Sequence, residues 1–195
     1  MLLYFFRHGE TESDVKSIMS GPGDTQPLNA LGITQSEKIA EYCRRENIST
    51  IFSSPEHRAA QTMNICTSKH PCITTIVKEL ESRNWGDWTG KPWSFADEIL
   101  SKLSVMERYA LRPPNGETWE EMEQRIRKAL VMMTASDADK IGIITHGGIL
   151  RALMPIITTN GIEEGIRYSF TNGNVTKVRR ENNGYVVETL NEPIL

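Results

Sequence analysis

The 195-residue chain is short of several things, and each shortage excludes something. No apolar run approaches the roughly 18 residues that a membrane-spanning helix needs, so no membrane partner is expected. No charge of one sign dominates: the net charge is -3, which gives no overall pull toward nucleic acid or an anionic membrane. Any anion site must therefore be a local cluster of arginines. Cysteine is scarce and odd in number: Cys43, Cys66 and Cys72 have no metal-type pairing with histidines. Cys66 and Cys72 lie six apart with nothing else to support a bridge, and reduced thiols in a cytoplasmic protein are the simplest account. The N-terminus lacks a basic stretch before its short apolar run, so no leader is expected. Repeats and low-complexity tracts are missing too. What remains, 38% hydrophobic and 24% charged residues, is ordinary for a globular protein. The length suits a single domain over residues 1–195, with room for an insertion.

Two stretches stand out. Leu2–Phe6 is a short apolar run that passes into Arg7-His8-Gly9-Glu10-Thr11, and it reads as a buried strand. In an open α/β sheet, ligands bind just past the carboxyl ends of such strands. Arg7 offers a planar fork of donors suited to phosphate or carboxylate. His8 is able to attack as a nucleophile or to shuttle a proton. A lone histidine after a strand is usually structural. The second stretch changes that weighting: Ile141–Thr145 is another apolar run, and it ends in His146-Gly147-Gly148. Two strands that each deliver a histidine and then a glycine suggest neighbours converging on one pocket.

Between them the pattern alternates. Residues 12–28 have no clear periodicity, and Gly21-Pro22-Gly23-Asp24 marks a loop. Asn29 or Thr34 is placed to cap a helix reaching about Asn47. Thr50–Ser53 reads as a strand. Ser54 as N-cap and Pro55 at the first helical position then open a helix that holds Arg58 in its first turn. Exposed amides and the positive dipole end favour an anion there, and a phosphate role for Arg58 weighs evenly against that of a surface arginine. Ile73–Val77 is a third strand. Trp85 and Trp88, three apart and flanked by glycines, suggest a fixed loop in which core packing is the simplest role for both rings. The pattern predicts one helix over 94–111 and a capping box at Thr118–Glu121 opening another to about Met133. Residues 82–118 thus form a helical insertion over the sheet. After His146 come a helix from about Gly148, strands at 167–170 and 175–180, and a hairpin at Asn183-Gly184 leading into 185–190. Strands alternating with helices predict a three-layer α/β/α domain around a mainly parallel central sheet.

Arg7, His8, Arg58, His146 and the amides near Gly147 would make a small, strongly positive concavity without a metal-ligand cluster. Its preferred guest is a dianionic phosphoryl group. The fitting chemistry is attack of neutral His8 on phosphorus, with the oxygens held by Arg7, Arg58 and His146. A carboxylic acid nearby would protonate the leaving oxygen and then deprotonate water: Glu81, close to the tryptophans, is the first candidate, with Glu10, Asp87 and Asp14 as the others. Ser20, Gly21, Asp14 and Gly147 are further substrate-binding candidates.

These residues carry a resemblance. Arg7-His8-Gly9-Glu10-Thr11 resembles the RHG signature of the histidine phosphatase superfamily, which includes the cofactor-dependent phosphoglycerate mutases. Pro27-Leu28-Asn29 with Gly32 and Gln35 is similar to the family's next element. Ser53-Ser54-Pro55 with Arg58, Ala59 and Thr62 is similar to its SSP..RA..T helix start. Trp85-Gly86-Asp87-Trp88 with Gly90, Asn115-Gly116-Glu117-Thr118, Thr145-His146-Gly147-Gly148 and Asn172-Gly173-Asn174-Val175-Thr176 follow in family order. The resemblance implies a phosphoglycerate mutase-like fold with His8 as the phosphorylated nucleophile. It also implies that Arg7, Arg58 and His146 bind the phosphoryl group, with no metal or other cofactor required.

Three positions depart from the family pattern. Asp14 stands where members usually carry Asn, so it must be protonated, turned away, or facing a cationic part of the substrate. Ile18 replaces a frequent Arg. Ser82 occupies the ungapped position of the usual Glu, one residue beyond Glu81, and a one-residue slip in extended chain reverses a side chain's direction. The expected function is a metal-independent phosphatase acting on a small phosphorylated metabolite. The alternatives are a phosphoglycerate mutase, disfavoured by the short chain and the scattered Lys91, Lys102, Arg108 and Arg112, and a catalytically weakened phospho-ligand binding module. Oligomeric state is open, a homodimer included.

Overall fold

A computed structural model describes all 195 residues. Six strands form one sheet: β1 (Leu2–Arg7), β2 (Thr50–Ser53), β3 (Ile73–Ile76), β4 (Lys140–Thr145), β5 (Val175–Glu181) and β6 (Gly184–Glu192). Their spatial order is β3-β2-β4-β1-β5-β6. The first four strands run parallel, and β5 and β6 turn antiparallel at one edge. The apolar run of β1 is continuous because both sheet faces are covered. Leu3 and Phe5 point to one side, packing with α6 (Trp119–Met133) and α7 (Gly147–Thr158). Tyr4 and Phe6 point to the other, packing with α2 (Ala30–Glu46) and α3 (His57–Lys69). The result is the three-layer sandwich that the alternation of strands and helices predicts.

Several local readings change. Asn29, not Thr34, caps α2: its side chain accepts from the Gly32 amide. The loop after β1 contains a one-turn helix, α1 (Glu12–Val15), closed by a capping box between Thr11 and Asp14. Helix α3 begins at His57 rather than at Pro55, because the Ser54 hydroxyl oxygen accepts from the Glu56 amide and the hydroxyl also meets His146. The helix expected over 94–111 is two helices, α4 (Trp93–Leu100) and α5 (Val105–Ala110). A second capping box, Ser104 with Glu107, ends the continuity by starting a new helix. The segment expected as a strand at 167–170 follows a short helix α8 (Glu164–Arg167) and joins no sheet; it places Phe170 in the core. Trp85 and Trp88 stack with ring centroids 6.2 Å apart in a small core with Met19 and Ala96.

The turn after β1 is held against α2 by a glycine pair. A Cβ on Gly32 would stand 2.1 Å from the Glu10 carbonyl oxygen, and one on Gly9 would stand 2.2 Å from that of Gly32. Backbone touches backbone here, so neither side is able to yield. Gly32→Ala is therefore expected to cost about 2–3 kcal/mol of stability, read as a lower urea midpoint with unchanged slope. A midpoint equal to wild type would show that the contact is relaxed in solution.

Candidate functional site

Parallel pairing of β1 with β4 sets Arg7 opposite Thr145, and the His8 amide donates to the Thr145 carbonyl at 3.0 Å. The next residue on each strand is thus a histidine at the same sheet end. The two rings lie 5.1 Å apart between centroids, both almost fully buried. His8 Nδ1 lies 2.8 Å from the Gly9 carbonyl, which requires a proton on Nδ1. Its Nε2 then carries the lone pair, and it accepts from Arg58 Nε at 3.2 Å. Asn172 Nδ2 donates to the His8 carbonyl at 3.1 Å and fixes the turn from the far side.

Burial first, then the charge of Arg58, pushes His8 down to about 3, so the ring is neutral at physiological pH. Burial, Arg58 and His8 likewise hold His146 well below the ordinary imidazole range. His146 Nε2 meets the Ser54 hydroxyl at 2.9 Å, while its Nδ1 is buried with no partner in the protein. His146 is also the N-cap residue of α7, whose first turn has no side-chain cap. Its free amides at Gly147 and Gly148 complete an anion cradle.

The arginines are matched by carboxylates. Arg7 donates through Nη1 to the Phe170 carbonyl at 2.6 Å and through Nη2 to Asp14. Burial acts to raise the Asp14 carboxyl, but His8, Arg7 and the Thr11 hydrogen bonds outweigh it and hold it below the usual range. Asp14 takes none of the three options expected for it: it stays ionised and pairs with Arg7 of the protein itself. Arg58 is paired with Glu56, a carboxylate buried to 4% exposure, and lies 3.7 Å from Asp24. The inner cluster is therefore much nearer neutral than a count of its arginines suggests.

Arg7, His8, Asp14, Ser20, Arg58, His146 and Gly147 all line one cavity of about 590 Å³. Gly21 and Glu81 do not. Gly21 turns toward Thr89 instead. At the other position the chain alternation presents Ser82 to the cavity, where Arg58 Nη2 donates to its hydroxyl at 3.3 Å. Glu81 contributes only its carbonyl, to Arg125 at 2.7 Å, and burial and the Glu56 charge raise its carboxyl. Glu81, the proton donor named from the sequence, is thus not among the groups that line the cavity. Sequence reasoning passed over Glu56, whose only signal was its position two residues before Arg58. It also passed over Arg151, whose Nε donates to the Tyr168 carbonyl at 3.1 Å while the residue lines the cavity. The outer wall is apolar and aromatic, with Trp85, Trp93, Leu100, Trp119 and Phe170. No cluster of three His, Cys, Asp or Glu side chains is arranged to hold a metal ion, and no helix is long and apolar enough to cross a membrane.

Comparison with known proteins follows this geometry. The family model for the histidine phosphatase superfamily (branch 1) matches residues 3–193. A Hydrogenobacter thermophilus protein with a provisional phosphoserine phosphatase name is 28% identical over 195 residues, covering 97% of this chain and 95% of that one. The adenosylcobalamin/alpha-ribazole phosphatase of Salmonella typhimurium is 26% identical over 163 residues, covering 82% of this chain and 80% of that one. Among solved structures, the alpha-ribazole phosphatase from Shigella flexneri superposes with a TM-score of 0.86 at 22% identity, covering 98% of this chain and 96% of that one.

Two predictions arise from the electrostatics. Histidines that fold with depressed affinity for protons bind fewer of them in the native than in the unfolded state. Stability should then be full above the unfolded value near 6.5 and fall as pH drops from about 7 to 5, by up to about 1.4 kcal/mol per pH unit for each ring. Thermal unfolding across that range checks it, and His146→Gln should flatten the slope; a slope identical to wild type would contradict it. Asp14→Asn removes a negative charge beside the cradle and frees Arg7. Inorganic phosphate should then bind about tenfold more tightly by calorimetric titration; unchanged or weaker binding would show that the carboxylate's orienting role dominates.

Proposed function

Because this chain belongs to branch 1 of the histidine phosphatase superfamily, we propose that it hydrolyses a small phosphomonoester through a phosphohistidine on His8. The observation that carries this reading is the state of His8. Its Nδ1 is committed to the Gly9 carbonyl, its Nε2 lone pair is directed toward the Arg58 guanidinium, and burial, with the charge of Arg58, keeps the ring neutral. A nucleophile held in one tautomer needs no deprotonation before attack.

In the first step Nε2 forms a bond to phosphorus as the ester P–O bond breaks. Arg7, Arg58 and the first amides of α7 hold the phosphoryl oxygens as charge shifts between them, with His146 beside them. In the second step water attacks the phosphohistidine, the P–N electron pair returns to Nε2, and phosphate leaves. No metal is needed in either step. Relatives of the chain bear phosphatase names with different substrates, which fits a shared inner cluster beneath a variable outer wall. In this chain that wall is supplied largely by the insertion at 82–118, together with α7 and the segment after it. A substrate with an apolar or aromatic organic part suits it.

The test is phosphate release from 4-nitrophenyl phosphate between about pH 5 and 8 with EDTA present. Wild type should turn over, and His8→Ala should lose at least about 10³-fold while unfolding at a similar temperature. A variant as active as wild type would overturn the assignment of the nucleophile.

A further inference from the structure

Hydrolysis of an unactivated ester needs a proton for the leaving oxygen. The cavity offers few sources. Its lining carboxylates are Asp14, which Arg7 keeps ionised, and Asp97, which stands on α4 in the insertion. Ser82 presents only a hydroxyl, and Glu81 is outside. One buried carboxylate lies directly behind the floor. Glu56 Oε1 accepts from the Ser82 amide at 2.5 Å and lies 3.5 Å from His146 Nε2, while Oε2 pairs with Arg58. Its side chain is 1% exposed, so a structural reason for an acid there must come from its partners.

His146 is thus bounded on its two nitrogens in opposite ways. Nε2 faces the Ser54 hydroxyl and the Glu56 carboxylate, and Nδ1 is buried without a partner. We propose that Glu56 acts through His146: it stabilises the doubly protonated ring at Nε2, so that Nδ1 serves as the general acid and then the general base of the reaction. Glu56 is a positioning residue in this scheme, and His146 is the catalytic one. The inference rests on the phosphatase reading above.

The proton balance is closed. Burial first, and then the charges of Arg58, His8, Arg7 and Arg125, keep the ring neutral before substrate binds, and Glu56 is the carboxylate in contact with it. A dianionic ester offsets those cations, and His146 takes a proton from solvent. As His8 Nε2 bonds to phosphorus, the P–O electron pair passes to the leaving oxygen, which takes the Nδ1 proton and departs as the alcohol. Water then attacks the phosphohistidine and gives a proton to Nδ1. The P–N pair returns to His8, and hydrogen phosphate and a charged His146 remain. A carboxylate behind an imidazolium is the arrangement that lets a histidine exchange protons at its far nitrogen.

The experiment compares 4-nitrophenyl phosphate, whose leaving group needs no proton, with phenyl phosphate, whose leaving group does. Glu56→Gln should lower kcat on the first by less than about tenfold and on the second by about 10²-fold or more. Glu56→Asp should recover most of the difference, and Asp97→Asn should leave the ratio unchanged. An equal loss on both esters, or a change of ratio that follows Asp97 instead, would overturn the proposal while the phosphatase reading stands. No turnover of either ester by wild type would instead overturn that reading. Should Glu56→Gln fail to fold, nitrogen-15 NMR of wild type with inorganic phosphate bound decides: a doubly protonated His146 supports the proposal, and a neutral ring overturns it.

Discussion

The parallel pairing of β1 with β4 is the constraint on which the site depends. Hydrogen bonds between the strands put Arg7 beside Thr145, and chain continuation alone then brings His8 and His146 together. Nearly 140 residues separate them in sequence, yet no loop has to find its place for the rings to meet. The sheet core also supplies the dryness, since Phe6 and Ile144, one residue further back on each strand, are fully buried. A burial that stabilises the sheet is the same burial that keeps both rings neutral.

Burial on that scale forces charge compensation. Each inner arginine has a carboxylate of its own, Arg7 with Asp14 and Arg58 with Glu56. Affinity for a phosphoryl group then comes from donors fixed in direction rather than from an excess of positive charge. Arg7 is held by the Phe170 carbonyl as well as by Asp14, and Arg58 by His8 and Ser82 as well as by Glu56. Such groups need no reorganisation when the substrate's charge moves, which is where electrostatic catalysis gains most.

Much of this is legible in the sequence, for physical reasons that can be named. Strand ends followed by Arg-His-Gly and His-Gly-Gly identify the floor, because a buried parallel strand is a continuous apolar run and its carboxyl end is a binding position. The capping box at Thr118 marks α6, since it is a local signal. The break between α4 and α5 was equally local, in Ser104 and Glu107, but the apolar pattern running across it hid the change. Glu56 is different in kind. Nothing in Ser-Pro-Glu-His distinguishes a solvent-exposed first-turn acid from one sealed beneath a pocket; only the approach of the Ser82 chain, 26 residues on, decides it. That Glu81 lies outside the cavity lining has the same origin, because the direction of a side chain in irregular chain depends on where the neighbouring 3₁₀ turn, Lys78–Leu80, ends.

The cavity joins two kinds of surface that answer to mutation in different ways. Its floor is made of strand ends and helix starts locked by backbone contacts such as Gly9 on Gly32, where no side chain is tolerated. Much of its outer wall is made of the short helices α4 and α5 with Trp85, and α4 and that tryptophan pack in a small core of their own away from the sheet. Changes in that wall are therefore shielded from the pairing that sets the histidines. A lineage built this way is free to exchange one organic substrate for another in small steps, each viable, while the chemistry beneath stays untouched.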